Sequence, residues 1–174
     1  MRTLKEKMLD AYLDIETTGL SPTDSYITVI GIYLVNGTDT GLTQLVGDQV
    51  TRDNLLEALA GVQTIYTYNG SRFDFPFIHS RLNIDLNNHC HHHDLMYDCW
   101  ACNLKGGFKA VEAQLCIPRE TRGITGWDAV LLWWRYKRYG DRNALATLLK
   151  YNKEDVVNLM ALREKLDGYG RDEP

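Results

Sequence analysis

Two strand-like segments near the start of the chain constrain its fold most strongly. Residues 10–15 (DAYLDI) and 26–35 (YITVIGIYLV) are rich in β-branched and aromatic residues, and the turn-prone stretch TTGLSPTDS separates them. Such segments, interrupted by Gly, Pro, Ser and Asp, are typical of neighbouring strands. We therefore expect an antiparallel hairpin at one side of a β-sheet.

The rest of the chain first alternates between strand and helix and then becomes helical. The predicted elements are, in order, a strand (LTQLV), a helix beginning at Thr51, a strand (62–68), a helix from near Phe73 to near Leu82, and a strand end in HHHDLM. Apolar spacing then predicts helices over 107–116, 126–139, 141–149 and 151–166. This order predicts an α/β fold with a mixed sheet of about five strands, flanked by helices, and a mostly helical C-terminal part.

Length and composition fit one globular domain. The chain has 174 residues, of which 44% are apolar and 24% charged, and no apolar run reaches the roughly 18 residues of a membrane span. We expect one domain over residues 1–174, with its core at about 10–166, in the cytoplasm and away from membranes. The formal charge of −4 argues against a large duplex-binding surface, although metal-binding acids would contribute to that charge.

A pair of acids stands on the first predicted strand. Asp14 and Glu16 are two residues apart, so both side chains leave the same face. Adjacent acids repel each other at neutral pH unless a cation compensates, which makes the pair a candidate metal ligand set. A solvated strand end entering a turn explains the pair, taken alone, equally well.

Two later segments carry further candidates. Asp74 falls in the first turn of the helix after Asn69-Gly70, where an acid also favours the positive end of the helix dipole. Tyr151 and Asp155 are four residues apart and share one helix face. Each feature alone is more typical of an ordinary helix. They indicate a functional site only when they occur together in one chain.

The three segments together resemble the DEDD (DnaQ-like) 3′→5′ exonuclease superfamily of the ribonuclease H-like fold. The first motif is matched by DIETTGL from Asp14, the second by YNGSRFD ending at Asp74, and the third by Tyr151 to Asp155. Lys150 stands where the other branch carries histidine, so the resemblance is to the tyrosine branch, DEDDy. The looser patterns HxDLM, GFKxxE, GD and YN are similar to the YprB-like exonuclease group.

The resemblance implies a two-metal-ion enzyme that hydrolyses phosphodiester bonds from the 3′ end of single-stranded nucleic acid and releases nucleoside 5′-monophosphates. Asp14, Glu16, Asp74 and Asp155 would hold two Mg²⁺ or Mn²⁺ ions, since these cations prefer hard oxygen ligands. Tyr151 would orient the attacking water.

Residues beside the first two motifs are candidates for holding the substrate. Backbone N–H groups at Thr17, Thr18 and Gly19 would bind the terminal 3′-hydroxyl. Leu20 and Phe73 would wedge between or stack on the last bases, which tolerates any sequence. Core packing at the start of a helix explains Phe73 nearly as well.

Polar and basic residues give weaker signals. Asn69 suits a substrate contact and a turn with left-handed backbone equally well. Lys109, Arg119 and Arg122 are candidates for lining the path of the strand, but Lys and Arg are usually solvated surface charges, so we assign only Lys109 to that path.

A histidine- and cysteine-rich segment raises a zinc hypothesis. Residues 89–102 (HCHHHDLMYDCWAC) contain four histidines and three cysteines. Zinc would require the segment to fold back on itself, and buried thiols with a histidine-rich strand end are the commoner explanation.

The predicted helix 126–139 is rich in aromatic residues. Trp127, Val130, Leu131 and Trp134 share one face, which we expect to be buried. The less favoured alternative is that Trp133, with Arg135 and Arg138, faces a partner or nucleic acid.

Three functional hypotheses follow. DNA ends, in repair, proofreading or end trimming, are the expected substrate, and an exoribonuclease is the close alternative, because the sequence does not report on a 2′-hydroxyl. A non-catalytic nucleic-acid-binding or adaptor module is the alternative of another class, but clustered acids that repel phosphate argue against it. A polymerase, helicase or other repair protein is a candidate partner for delivering the substrate.

Overall fold

The computed structural model describes residues 9–169 and is built around a five-stranded sheet. The strands are β1 (Leu9–Thr17), β2 (Ile27–Asn36), β3 (Asp39–Val46), β4 (Val62–Thr67) and β5 (His91–Asp94). Their order across the sheet is β3-β2-β1-β4-β5. β1 therefore lies at the centre.

The sheet is mixed. β1 pairs antiparallel with β2, and β2 pairs antiparallel with β3. β4 pairs parallel with β1, and β5 pairs parallel with β4, so the carboxyl ends of these three strands share one edge. This arrangement confirms the predicted α/β fold with a mixed sheet and an antiparallel hairpin.

Helices cover both faces of the sheet. They are α1 (Arg52–Ala58), α2 (Asp74–Leu82), α3 (Leu95–Ala101), α4 (Phe108–Gln114), α5 (Gly126–Tyr139) and α6 (Arg142–Tyr169). Leu13 and Ile15 of β1 pack with α1 and α2 on one face. Tyr12 packs with α3, α4 and α6 on the other face, because successive strand residues point to opposite sides. By the same alternation, Asp14 and Glu16 point toward α6.

Two helix boundaries differ from the prediction. Leu95 and Met96, which were expected at the end of a strand, instead begin α3, because the Asp94 carboxylate accepts a hydrogen bond from Met96 N–H and caps a helix there. The helices predicted at 141–149 and 151–166 are one helix, α6, since no Gly or Pro interrupts the chain between them. Within residues 9–169, no helix combines the length and apolar character that crossing a membrane requires.

Helix α5 buries a different face from the predicted one. Trp133 is 2% exposed and donates its indole N–H to Tyr26 Oη over 3.0 Å, whereas Trp127 is 67% exposed. A buried indole needs a hydrogen-bond acceptor, and Tyr26 supplies one to Trp133. Leu131 is also exposed. Among the four residues of the predicted apolar face, Val130 is the one that is buried.

Candidate active site

Three carboxylates meet at the carboxyl end of β1. One oxygen each from Asp14, Glu16 and Asp155 lies within 4.8 Å of the others. Glu16 and Asp155 are buried, and Asp14 is half-buried. The structure thus brings together three of the four predicted acids, two from β1 and one from α6.

Asn152 fixes α6 against β1. Its Nδ2 donates to the backbone oxygen of Asp14 at 3.3 Å and to Asp14 Oδ2 at 3.2 Å, while its Oδ1 accepts from Gln44 Nε2 at 3.0 Å. This approach depends on Gly31, the β2 residue opposite Asp14, because a Cβ there would overlap with the Asn152 carboxamide. Asn152 therefore orients Asp14, a role that the sequence pattern did not reveal.

The fourth predicted acid, Asp74, begins α2 and points back to β1. Its Oδ1 accepts a hydrogen bond from Ile15 N–H at 3.0 Å, and the side chain is buried. Asp74 stands outside the group of three mutually close carboxylates, but it lies near enough for its charge to raise the pKa of Asp14, after burial and the nearer acids.

The loop between β4 and α2 is held by Asp94. Its carboxylate accepts hydrogen bonds from the N–H groups of Asn69 and Ser71, at 2.7 and 3.1 Å, and from the Ser71 hydroxyl at 2.6 Å. Asn69 has a left-handed backbone with φ of 64°, which supports the turn interpretation of this residue. Asp94 therefore positions the loop that leads to Asp74.

Burial and mutual repulsion make the four acids unusually weak. Burial, followed by the charges of neighbouring carboxylates, raises the pKa of Asp14 well above its usual range, and burial with the Asp155 charge does the same for Glu16. Burial also raises the pKa of Asp74 to about 7 and that of Asp155 to about 6. The site therefore holds protons near neutral pH unless a cation replaces them.

A buried arginine supports Asp155. Arg119 Nη2 donates to Asp155 Oδ1 at 2.5 Å, and Arg119 also bonds both carboxylate oxygens of Glu112, at 2.8 and 2.9 Å. Asn158 Nδ2 donates to Glu112 Oε1 at 2.7 Å. Burial alone would lower the pKa of Arg119, but the bond to Glu112 and the charge of Asp155 outweigh it and raise that pKa. Arg119 is thus a buried cation, and the expectation of a solvated surface charge was wrong.

Tyr151 lies one helical turn before Asp155 on α6. Its Oη accepts a hydrogen bond from Lys109 Nζ at 2.5 Å, and Lys109 also donates to the Ile124 carbonyl oxygen at 2.5 Å. Burial, followed by the charges of Asp155, Glu16 and Asp14, raises the pKa of Tyr151. The phenol therefore keeps its proton at neutral pH, and Lys109 contacts the tyrosine.

An open cleft of about 490 Å³ leads to the carboxylates. Four of the predicted substrate-binding residues line it, namely Thr17, Gly19, Leu20 and Phe73. Trp127 of α5 also lines the cleft, a position that its helical spacing, which predicted burial, did not indicate. The one sequence signal for an exposed Trp127 was its position in the first turn of α5, just after the capping residue Thr125.

Thr18 has a different environment from the predicted one. Its N–H donates to the Tyr26 carbonyl oxygen at 3.0 Å, and its Oγ1 accepts from Tyr26 N–H at 3.1 Å. These bonds continue the pairing of β1 with the chain before β2. The Thr18 N–H is therefore already used and is not available to a 3′-hydroxyl.

The carboxylate group has the properties of a metal site. All its donors are hard oxygens, which suit Mg²⁺ and Mn²⁺. Glu16 Oε1 is buried and has no hydrogen-bond partner in the described part of the chain, which costs free energy unless a cation or water binds it. The residues present therefore fit a divalent cation.

The histidine- and cysteine-rich segment does not form a second such group. Among residues 9–169, the group with metal-ligand spacing contains neither histidine nor cysteine. His92 Nε2 lies 2.8 Å from Thr67 Oγ1, and His93 Nε2 lies 2.5 Å from Asp98 Oδ2. These contacts favour a structural role for the segment over zinc binding.

Solved structures with a similar fold include proteins that act on or bind nucleic acid. The family B DNA polymerase of the archaeon Pyrobaculum calidifontis aligns with a TM-score of 0.68 and 16% identity over 91% of this chain and 24% of the polymerase chain, so this chain spans about a quarter of it. Brucella melitensis NrnC bound to pGG aligns with a TM-score of 0.63 and 17% identity over 97% of this chain and 77% of NrnC. NrnC with bound Mg²⁺ aligns with a TM-score of 0.62 and 17% identity over 99% and 81% of the two chains. At these identities the likeness establishes the fold alone.

Sequence comparison assigns the family. No curated protein sequence matches the chain. A family model described as RNase_H superfamily matches residues 11–167, a range that contains all four acids and Tyr151. This match confirms the ribonuclease H-like part of the resemblance, whereas the YprB-like grouping stays a hypothesis. The chain belongs to the RNase_H superfamily.

Proposed function

We propose that this chain is a metal-dependent 3′→5′ exonuclease of the DEDDy type that acts on single-stranded nucleic acid and releases nucleoside 5′-monophosphates. The observation that carries the proposal is the convergence of Asp14, Glu16 and Asp155 beside Tyr151 in an open cleft. The RNase_H superfamily fold, and the Mg²⁺ bound to the similar fold of NrnC, support the same chemistry.

Two divalent cations, Mg²⁺ or Mn²⁺, are the proposed cofactors. When bound, they stabilise the charge that develops at the two ends of the phosphoryl displacement. Asp14 would contribute to both ions, and Asp74 to the ion on the side of the leaving 3′-oxygen. Glu16 and Asp155 would hold the ion on the side of the nucleophile. Since Arg119 holds one oxygen of Asp155, that acid offers its other oxygen to a cation.

Tyr151 is the proposed positioning group for the attacking water. Its protonated phenol is a poor general base, because burial raises its pKa further above neutrality. Lys109 fixes the phenol oxygen by donating to it, and an ammonium can only donate. We therefore expect Lys109 to influence the chemical step through Tyr151.

The walls of the cleft suit nucleobases. Leu20 and Trp127 are large exposed apolar side chains, and Phe73 lines the same cleft. Apolar surface left in water is unfavourable, and stacking on an aromatic face accepts any base. We assign these three residues to the last bases of the substrate, and Thr17 and Gly19 to its terminal sugar.

Single-stranded DNA is the proposed substrate, with RNA as the alternative. The likeness in fold to a DNA polymerase supports DNA. An adaptor without catalysis is disfavoured, because it would gain nothing from three clustered carboxylates, two of them buried, that repel one another. A polymerase, helicase or other repair protein is the proposed partner, since a net charge of −4 gives weak attraction to the nucleic acid backbone.

Digestion of matched DNA and RNA strands tests this proposal. Both strands carry a 5′ label and the same base sequence, and a second set carries a 3′-terminal phosphorothioate linkage. We expect products that shorten from the 3′ end with Mg²⁺ or Mn²⁺, a delay for the modified ends, and nucleoside 5′-monophosphates in the digest. Internal cuts, or shortening from the 5′ end, would contradict the proposal.

A further inference from the structure

A cationic and aromatic surface adjoins the loop that carries the cleft residue Phe73, and it has no role in the proposed chemistry. Tyr97 and Trp100 of α3 are 44% and 43% exposed, and their rings meet edge to face with centroids 5.4 Å apart. The Arg72 guanidinium carbon lies 5.9 Å and 5.5 Å from the two ring centroids. Arg72, Tyr97 and Trp100 are called the Arg72 patch below.

The patch is held in place by the same carboxylate that fixes the β4–α2 loop. Asp94 accepts hydrogen bonds from Asn69, Ser71 and, as the cap of α3, Met96 N–H. The Ser71 hydroxyl also lies 3.3 Å from Tyr97 Oη. The loop residues just before Arg72 are therefore tied to α3, so little ordering would remain for a ligand to impose.

The patch adjoins a residue that lines the cleft. Arg72 directly precedes Phe73, which lines the cleft, and stands two residues before Asp74. Since consecutive Cα atoms are about 3.8 Å apart, the Arg72 backbone lies within about 8 Å of that of Asp74. A strand whose 3′ end lies among the acids would therefore have this patch within its reach.

The chemistry of the patch matches a nucleic acid strand. No carboxylate pairs with the Arg72 guanidinium within residues 9–169, so its charge is available to a phosphate. Two half-exposed aromatic rings beside that charge offer stacking surfaces for bases. A cation is notable here because the chain as a whole carries a formal charge of −4.

We propose that the Arg72 patch binds the nucleotides of a single strand that lie 5′ to those in the cleft, with Arg72 contacting phosphate and Trp100 and Tyr97 stacking on bases. This inference rests on the proposed exonuclease function. It makes the patch a determinant of substrate length, because a dinucleotide fills the cleft but does not reach the patch.

Kinetics on two substrate lengths test the inference. We would measure kcat/KM for a DNA dinucleotide and a decanucleotide with the same 3′ end, using wild type, Arg72→Gln and Trp100→Ala. Arg138→Gln is the matched control, because Arg138 also lies over a tryptophan, Trp134, but is about 17 Å along α5 from Trp127. Thermal unfolding verifies that all variants are folded.

The expected result is a loss that depends on length. Both patch variants should lower kcat/KM for the decanucleotide about tenfold, and leave the dinucleotide within about twofold of wild type, while Arg138→Gln changes neither. Two results would overturn the inference but leave the exonuclease function standing. One is an equal loss of kcat/KM on both lengths. The other is no loss on the decanucleotide, which is expected if the patch docks another protein. A wild type that cleaves neither length would overturn both.

Discussion

Replacing Arg119 with methionine is expected to destabilise the fold and to weaken metal binding together. The Arg119 side chain is 5% exposed, and its partners Glu112 and Asp155 are about as deeply buried. Methionine retains the apolar stem but leaves two buried carboxylates without their cation. Removing one partner of such a buried pair costs about 3–5 kcal/mol, which is a large share of a typical free energy of unfolding.

Urea unfolding in EDTA, followed by tryptophan fluorescence, measures this loss. Arg163→Met is the matched control, because Arg163 bonds Asp10 and Tyr12 at 2.6 and 3.1 Å but is 31% exposed. We expect the control to lose about 1 kcal/mol, since solvent screens its ion pair.

Metal binding provides the second readout. Arg119 holds Asp155 through a hydrogen bond to Oδ1, so its removal should release that carboxylate from its orientation toward the other acids. We expect Mn²⁺ affinity, measured by calorimetry, to fall by about tenfold or more in Arg119→Met. A loss of stability no greater than in the control, or an unchanged Mn²⁺ affinity, would refute the reasoning.

Three further outcomes are expected. Gly31→Ala should lower kcat at least about tenfold by displacing Asn152 from Asp14, whereas Gly41→Ala, whose Cβ would meet nothing within 4 Å, should be nearly silent in the same steady-state assay. Tyr151→Phe should lower kcat about a hundredfold with KM almost unchanged, and a rise in KM instead would argue for substrate binding by the phenol. In EDTA, thermal stability should fall as the pH rises from about 4 to 7, because acids with a raised pKa bind protons more tightly in the folded chain. Burial of Asp155, whose pKa is about 6, accounts for about 3 kcal/mol of this effect, and stability that rises over this range would contradict it.

Local patterns determine the parts of the fold and site that the sequence could predict. The alternation of β1 put Asp14 and Glu16 on one face, and helical spacing put Tyr151 and Asp155 together. The composition of the strand segments was sufficient to predict the hairpin and the mixed sheet. Each of these inferences uses residues that are close in the sequence, where backbone geometry alone fixes their relation.

The remaining features depend on contacts between distant residues. Arg119 looked like a surface charge because its partners, Glu112 and Asp155, come from two different helices. Trp127 and Trp133 are equally apolar, and the position of Tyr26 decides which of them is buried. Apolar periodicity carries no information on such distant partners. These roles could therefore be identified only from the three-dimensional structure.

Single-turnover cleavage of 5′-labelled single-stranded DNA by carboxylate variants tests the central claim most directly. Asp14→Asn removes one charge from the metal site, and Asp53→Asn makes the same change at an exposed position in the first turn of α1. With Mn²⁺, we predict that wild type and Asp53→Asn shorten the strand from its 3′ end, that Asp14→Asn is slower by about a thousandfold, and that EDTA stops all three. Cleavage by Asp14→Asn at the wild-type rate, or cleavage that persists in EDTA, would contradict the account.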